Sequence, residues 1–286
     1  MISYEWRTEL SPAEADELAG LLARAAVYDA EPGYSTIEFD DVRRSMASGE
    51  PDARHLVIRM LAHATTMADP NAPECIAGLL RLTGVSDGTA EATVVIDPAL
   101  RSIGIVTLLL EQVGLDTTGP AGWFGSGAHT ITAWARGNHP ATGRLSNRFL
   151  VPRTRRVWQL IRGTRQDHEL AAAPVLEPIE TPGGSSGYAL RESGRIVGTA
   201  ALSRNPVESE EFGACAVVDH IEPSPSAPPG SLRRLLEGLA VVAHEAGHPG
   251  ILVNVDSDDL ALVNAARLAG FHHDRTDVRY QLGGSL

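Results

Sequence analysis

The two halves of this 286-residue chain repeat one order of predicted elements. Each half reads as a hairpin, a further strand, a glycine-containing loop, a helix, a strand, a helix and a last strand. Strands that alternate with helices pack as α/β layers, and a repeated order predicts two such layers in tandem. The hydrophobic share of 43% is enough to bury a core in each half. The sequence therefore predicts two α/β lobes, each a mixed, mostly antiparallel sheet flanked by helices.

Local composition predicts where the two lobes meet. Residues 163–186 are rich in Gly, Pro, Ser and charged side chains, which is typical of a connecting segment. We therefore expect an N-terminal lobe over 1–162, a linker over 163–186 and a shortened C-terminal lobe over 187–286. The N-terminal lobe has room for two helices before its hairpin, whereas the C-terminal lobe has little room for an equivalent pair.

Short local signals predict where several elements begin. Ser11 and Glu14, three residues apart, form a capping box at the start of the first helix. The dipeptide Ser193-Gly194 predicts the tight turn of a hairpin in the second half. Either Ser257 or Asp258 is expected to cap the last helix.

The formal net charge of −12 limits the partners of the chain. An acidic surface repels the phosphates of nucleic acids, so we expect no nucleic-acid partner. No uninterrupted apolar run is long enough to span a bilayer, and the first residues carry charges where a signal peptide would be apolar. We therefore expect a soluble, cytoplasmic protein with no membrane partner.

Two features of the composition limit the chemistry. All 24 Lys and Arg residues are arginines, which excludes lysine-based catalysis and Schiff bases. The two cysteines, Cys75 and Cys215, lie far apart and form no metal-ligand spacing, and the histidines form no ligand cluster. We expect two free thiols and no bound metal.

The segment that carries the chemistry runs from Val94 to Thr107, where a strand ends and a helix begins at Gly104. Unpaired backbone N–H groups at the positive end of a helix dipole form a site for a pyrophosphate. Glycine at position 104 would let the backbone approach the phosphates closely. The predicted cofactor-binding residues are Val95, Ile96, Arg101, Ser102, Gly104, Ile105, Val106 and Thr107.

The same segment resembles the acetyl-CoA loop of the GCN5-related N-acetyltransferases (GNAT), in which Arg101 and Gly104 match an Arg-x-x-Gly pattern. The run Trp134-Ala135-Arg136-Gly137, the spacing of Asp29 and the segment 255–271 are similar to the mycothiol synthase family of tandem GNAT proteins. This resemblance implies a metal-free N-acetyltransferase. Its substrates would be acetyl-CoA and a small-molecule amine, which in that family is the cysteinyl amine of Cys-GlcN-inositol.

The sequence departs from the family at several functional positions. Val106 replaces a small residue of the cofactor loop, and Ala266 replaces a tyrosine that often serves as general acid for the leaving thiolate. Thr36 and Cys215 stand where the family has acidic residues that hold its amine substrate. Nearby carboxylates that could substitute for them, and hence the candidate catalytic residues, are Glu38 and Asp219.

The equivalent cofactor loop of the second half is weaker. It keeps Gly230, but Ala227 and Leu232 replace a Gln or Arg and a small residue of the family pattern. Cofactor contacts in this half would come from Ile221, Gly230 and Ser231. We therefore expect cofactor binding and any acetyl transfer in the N-terminal lobe.

Three classes of function stay open from the sequence. The first is the acetyl-CoA-dependent N-acetyltransferase. The second is a catalytically degenerate paralogue that binds acetyl-CoA as a sensor or scaffold, and the third is a protein-interaction module. Either a monomer or a homodimer is compatible with the sequence.

Overall fold

The fold is described from a computed structural model that covers residues 2–30, 37–49, 52–61, 74–138, 140–165, 173–181 and 185–284. Thr36, where the family has an acidic residue, lies outside these ranges. The chain divides into two compact units. Unit 1 comprises 1–154 and 278–286, and unit 2 comprises 155–277.

Unit 1 is a sheet with helices on both faces. Its elements are β1 (Ile2–Arg7), α1 (Pro12–Ala30), α2 (Phe39–Ala47), β2 (Ala53–Leu61), β3 (Glu74–Thr83), β4 (Thr89–Ile96), α3 (Ile105–Val113), β5 (Thr130–Ala135) and α4 (Pro140–Phe149). The strand order is β1-β2-β3-β4-β5 followed by the end of the last strand, β13 (His272–Gly283). Among the described strand pairs of unit 1, only β4–β5 is parallel. One face packs on α1 and α2, and the other packs on α3.

Unit 2 repeats the mixed sheet around its own core. It contains β6 (Arg153–Gly163) from Arg155 onward, β7 (Glu177–Ile179), β8 (Ser186–Glu192), β9 (Arg195–Leu202), β10 (Val207–Ser209), β11 (Gly213–Pro223), α5 (Ser231–Glu245), β12 (Gly250–Asp256), α6 (Leu260–Leu268) and the start of β13. The strand order is β6-β12-β11-β9-β8-β7, with β11 and β12 parallel. Leu235, Leu236 and Leu239 of α5 are fully buried against this sheet. The predicted fold class is confirmed in both units.

Two local predictions are confirmed by the hydrogen bonds and dihedral angles. The Ser11 N–H donates to the Glu14 carboxylate at 2.7 Å, and the Glu14 N–H donates to the Ser11 hydroxyl at 3.4 Å. Ser193 and Gly194 adopt φ angles of 49° and 78°, which is the left-handed pair that a two-residue hairpin turn requires.

One predicted helix cap was wrong by a single residue. Neither Ser257 nor Asp258 caps α6, because Asp259 accepts the Leu262 N–H at 2.9 Å. A type of residue that favours caps occupies all three positions, so local preference cannot choose among them.

The compact units differ from the predicted lobes at both ends of the second half. Residues Val157–Gly163 pair with Gly250–Asp256 of β12, so this strand belongs to unit 2. Residues Val278–Gly283 pair with Thr130–Ala135 of β5, so the chain end belongs to unit 1. The expected linker also contains strand β7, which pairs with β8.

Candidate functional site

The parallel strands of unit 1 pair over only half the length of β4. Thr89–Ala92 of β4 pairs with Thr130–Ala133 of β5, and beyond Ala92 the strand keeps only its antiparallel partner β3. The Asp97 N–H donates to the Ala77 carbonyl at 2.9 Å. Along β4, every second residue counted back from Asp97 therefore directs its backbone N–H and C=O toward β3. Backbone groups of Val94 and Ile96 therefore point away from β3, toward the side where β5 has parted. This edge can accept an extended polar ligand.

The loop after β4 leads to the start of a helix that no side chain caps. Asp97 accepts the Ala99 N–H at 3.0 Å and so begins a short 3-10 turn over Pro98–Leu100. Gly104 is the N-cap of α3 with φ of 90°, and a Cβ built there would meet nothing within 4 Å. The first intrahelical bond runs from the Leu108 N–H to the Gly104 carbonyl. The three preceding N–H groups, those of residues 105–107, have no intrahelical acceptor, and N–H groups at a helix start can bind an anion.

The side chain of Arg101, which was predicted to bind the cofactor, instead binds other groups of the protein. Its Nη1 and Nη2 donate to Oδ1 and Oδ2 of Asp29 at 2.6 and 2.8 Å, and its Nε donates to the Ile96 carbonyl at 3.1 Å. Its guanidinium also lies 4.9 Å from the centre of the Tyr28 ring. The hydrogen bonds with Asp29 raise the pKa of Arg101, which keeps it charged. Arg101 therefore fastens the loop to α1, and its side chain is not directed at a ligand.

A second ion pair fastens the same loop to the same helix. Arg24 donates to the Asp97 carboxylate at 2.5 Å. Arg24 and Tyr28 are four residues apart and Asp29 follows, so one side of α1 supplies every partner. The sequence prediction missed the role of Arg24 and Asp97. The only local signal was this helical spacing of an arginine, a tyrosine and an aspartate.

The remaining predicted residues of this loop divide into buried and exposed sets. Val95 is buried in the core beneath α1, and Ile105 is buried on the α3 side. Ser102 adopts φ of 68° at the tip of the loop. Val94, Ile103 and Leu108 are 44%, 46% and 42% exposed, so unit 1 presents apolar surface around the loop that an alkyl chain could cover. Val106 and Thr107 are partly exposed in the first turn of α3.

Unit 2 contains the same arrangement in altered form. Strands β11 and β12 pair over Ala216–Val218, and the register to β9 shifts at Asp219. Gly230 is the N-cap of α5 with φ of 88°. However, the N–H and the hydroxyl of Ser231 both donate to the Pro228 carbonyl, at 3.2 and 2.9 Å. One donor of this helix start is therefore already used.

The structure places the candidate catalytic residues on exposed surface of separate units. Glu38 is exposed at the start of α2, where its side chain makes no capping bond. Asp219 is exposed and accepts the Ser185 hydroxyl at 2.7 Å. Ala266 is fully buried in the core around α6, and an alanine at this position offers no acid. Cys215 is fully buried in a small apolar cluster with Ile161 and Leu252.

In the part of the chain that the structure describes, no group of three His, Cys, Asp or Glu side chains could hold a metal ion. Among the described helices, none has the length and apolar character needed to cross a bilayer.

Comparison with known proteins places these features in context. No protein-family profile matches the chain. It is 26% identical to the mycothiol acetyltransferase of Saccharomonospora viridis over 99% of this chain and 100% of that protein. The mycothiol acetyltransferase of Nocardia farcinica is also 26% identical, with 99% of both chains covered. That of Frankia alni is 32% identical over 64% of this chain and 49% of that protein.

Solved structures show the same fold. A tandem GNAT protein from the clavulanic acid biosynthesis pathway matches all of both chains with a TM-score of 0.58 and 14% identity. A GCN5-related N-acetyltransferase from Sphaerobacter thermophilus matches 99% of this chain and 98% of that one, with a TM-score of 0.54 and 16% identity. The chain therefore has a tandem GNAT fold, and the relatives to which it is similar over its whole length are named as acetyltransferases.

Proposed function

We propose that this chain, with its tandem GNAT fold, is an N-acetyltransferase that binds acetyl-CoA in unit 1 and acetylates a small-molecule amine. The observation that carries the proposal is the parting of β4 from β5 directly before an uncapped helix start. The Val94 backbone groups and the Ile96 N–H would pair with amides of the pantetheine arm, while the Ile96 carbonyl already accepts from Arg101. The N–H groups of residues 105–107 would hold the pyrophosphate. The exposed apolar side chains near the loop would cover the alkyl part of the cofactor.

The proposed reaction is a direct transfer. The neutral amine nitrogen attacks the thioester carbonyl carbon, a C–N bond forms, the C–S bond breaks and the thiolate leaves. Backbone N–H groups at the β4 edge would stabilise the negative charge that develops on the carbonyl oxygen. The nitrogen gives up one proton, and Glu38 is the candidate base for it in unit 1. Most of the rate would come from the positioning of the two substrates.

Two differences favour unit 1 over unit 2 as the cofactor site. The first turn of α3 keeps its N–H groups uncapped, whereas Ser231 in α5 already donates to Pro228. Helices α1 and α2 lie between β1 and β2 of unit 1, while the described residues between β6 and β8 contain no helix.

The names of the curated relatives suggest which acceptor to test first. They are mycothiol acetyltransferases, so we propose the cysteinyl amine of Cys-GlcN-inositol as the leading acceptor. Thr36 and Cys215 replace the acidic residues expected for this substrate, so simpler primary amines form the second group of acceptors.

The cofactor assignment is tested by calorimetric titration with acetyl-CoA. Gly104→Asp should abolish detectable binding, because it adds bulk and negative charge where the pyrophosphate would lie. Gly230→Asp is the matched control: it changes a second N-cap glycine with nearly the same φ and equally open surroundings. Loss of binding in Gly230→Asp alone would move the cofactor to unit 2. Unchanged binding in both variants would show that neither loop binds the cofactor.

A second function is favoured by one specific observation. The position expected to carry a tyrosine acid is Ala266, and it is sealed in the core. A chain that binds acetyl-CoA without turning it over would have this property. Thiol release from acetyl-CoA, measured over a panel of amines, separates the two functions. Binding that Gly104→Asp abolishes, with no release above the uncatalysed rate for any amine, would assign the sensor or scaffold role.

A further inference from the structure

A second feature of unit 1 lies under α2, away from the loop between β4 and α3. An open cavity of about 560 Å³ is lined by Asp41, Arg44, Ser45, Ser48 and Arg81. Four of these residues lie on or directly after α2, and Arg81 lies on β3. No residue of the proposed cofactor loop lines this cavity.

Arg81 is the unusual member of this cavity. Its Nε is inaccessible to solvent and has no hydrogen-bond partner, and the guanidinium makes no ion pair within the described residues. Its neighbours in the strand register are His55 on β2 and Thr93 on β4. Neither neighbour is a carboxylate. A ligand cannot reach the inaccessible Nε, but Nη1 and Nη2 are not among the inaccessible atoms and have no partner within the described residues. An oxygen ligand would therefore accept hydrogen bonds from these two terminal groups.

The side chains behind Arg81 do not neutralise it either. His55 is buried, and its Nε2 lies 2.8 Å from the Ser45 hydroxyl, which itself donates to the Val42 carbonyl. Burial and the charge of Arg81 lower the pKa of His55 to about 4, so the imidazole is neutral near pH 7. Its Nδ1 is a second buried polar atom without a partner in the described chain.

The charges at the rim leave the cavity positive. Nη2 of Arg44 lies 3.2 Å from Oδ1 of Asp41 in an ion pair, so these two formal charges cancel. The charge of Arg81 is then left uncompensated among the five lining residues. This local positive charge favours an anion in the cavity, although the net charge of the whole chain is −12.

We propose that this cavity binds a small oxyanion, the phosphate or carboxylate group of a metabolite, with Arg81 as its principal ligand and Arg44 as a second. The planar guanidinium presents a fork of N–H donors that matches two oxygens of such a group. Asp41 competes with the anion for Arg44. The proposal does not depend on acetyl transfer, because it uses no residue of the cofactor loop.

The test is a calorimetric titration of the full chain with inorganic phosphate and, separately, with succinate, at constant ionic strength. Arg81→Gln should weaken binding about ten-fold or more, since it removes a charge-assisted donor. Asp41→Asn should strengthen binding about three-fold, because it frees Arg44 from an exposed ion pair. A gain of affinity cannot result from misfolding, so this variant keeps the test valid if Arg81→Gln unfolds.

Arg148→Gln is the matched control, because it removes an equal charge from α4, where Arg148 pairs with Glu111. The affinity of the Arg148→Gln variant for each probe should equal that of the wild type. If only phosphate binds, the cavity is a phosphate site. If both probes bind, it is a general oxyanion site. The proposal is overturned if neither probe binds, or if Arg81→Gln and Arg148→Gln behave alike and Asp41→Asn has no effect.

Discussion

The carboxylate of Asp29 accepts two hydrogen bonds from the guanidinium of Arg101, at 2.6 and 2.8 Å, across 72 residues of sequence. The pair joins the last turn of α1 to the loop after β4. Arg101 matches the arginine of a phosphate-binding pattern, yet its donors are used inside the protein. The pair holds the loop in place, and in the proposed function backbone N–H groups, rather than the Arg101 side chain, would contact the cofactor.

Breaking this pair should destabilise the protein. Asp29 is buried and the Arg101 side chain is 27% exposed, so Asp29→Asn leaves a largely desolvated cation with a weaker partner. We expect a loss of about 2 kcal/mol in the free energy of unfolding, measured in urea. Glu111→Gln breaks the exposed pair with Arg148 and should cost less than about 1 kcal/mol. Equal losses in the two variants would show that the Asp29 pair has no special role.

The stability of the protein should fall as the pH falls below 6.5, the ordinary pKa of a histidine side chain. Burial and Arg81 lower the pKa of His55 from 6.5 to about 4, so between these values the unfolded chain binds a proton that the folded chain does not. The stability contribution is complete above pH 6.5 and is lost progressively down to about pH 4, by up to about 3 kcal/mol. His55→Gln should lose this part of the pH dependence, measured as the difference from the wild type at each pH. Parallel pH profiles would contradict the assignment.

Leu150 is a position where a smaller residue should stabilise the chain. It follows α4 with φ of 55° and is 86% exposed, so its Cβ is strained and its side chain adds little to the core. Leu150→Gly should raise the free energy of unfolding by about 0.5–1 kcal/mol, because glycine adopts this conformation freely. Leu150→Ala keeps the Cβ and should show no gain. A gain in the alanine variant would mean that exposure of the leucine, rather than strain, is the cause.

The two cysteines should titrate as free thiols with different accessibility. Burial raises the pKa of both thiols, and Cys215 is fully buried whereas Cys75 is partly exposed. A thiol reagent should detect two thiols after denaturation without reductant, and Cys215 should react far more slowly in the native protein. Cys215→Ala should lower only the denatured count. Fewer than two thiols in the denatured wild type would reveal a disulfide.

Much of the fold could be predicted from local sequence. The capping box of Ser11 and Glu14 and the hairpin turn at Ser193-Gly194 formed as predicted, because each depends on atoms within three or four residues. The start of α3 at Gly104 was also predictable, since a glycine between a strand and a helical apolar pattern has few alternatives.

The candidate site could be predicted only in outline. Gly104 and the helix behind it follow from sequence, but the use of Arg101 follows from Asp29, which no local pattern links to it. Likewise Arg81 and His55 are separated by 26 positions and become neighbours only through the pairing of β2 with β3. The buried donor of Arg81 is therefore invisible in the sequence.

The sequence by itself determined the mixed α/β class in each half, most of the element order, and the capping box and hairpin turn made by neighbouring residues. It did not determine strand β7 or the cap of α6. Only the tertiary structure decided that Arg155 onward belongs to unit 2 and that Val278 onward returns to unit 1. It also decided the register shift at Asp219. The physical reason is that caps and turns are satisfied within a few residues, whereas a strand edge can pair with any compatible edge that the folded chain brings beside it.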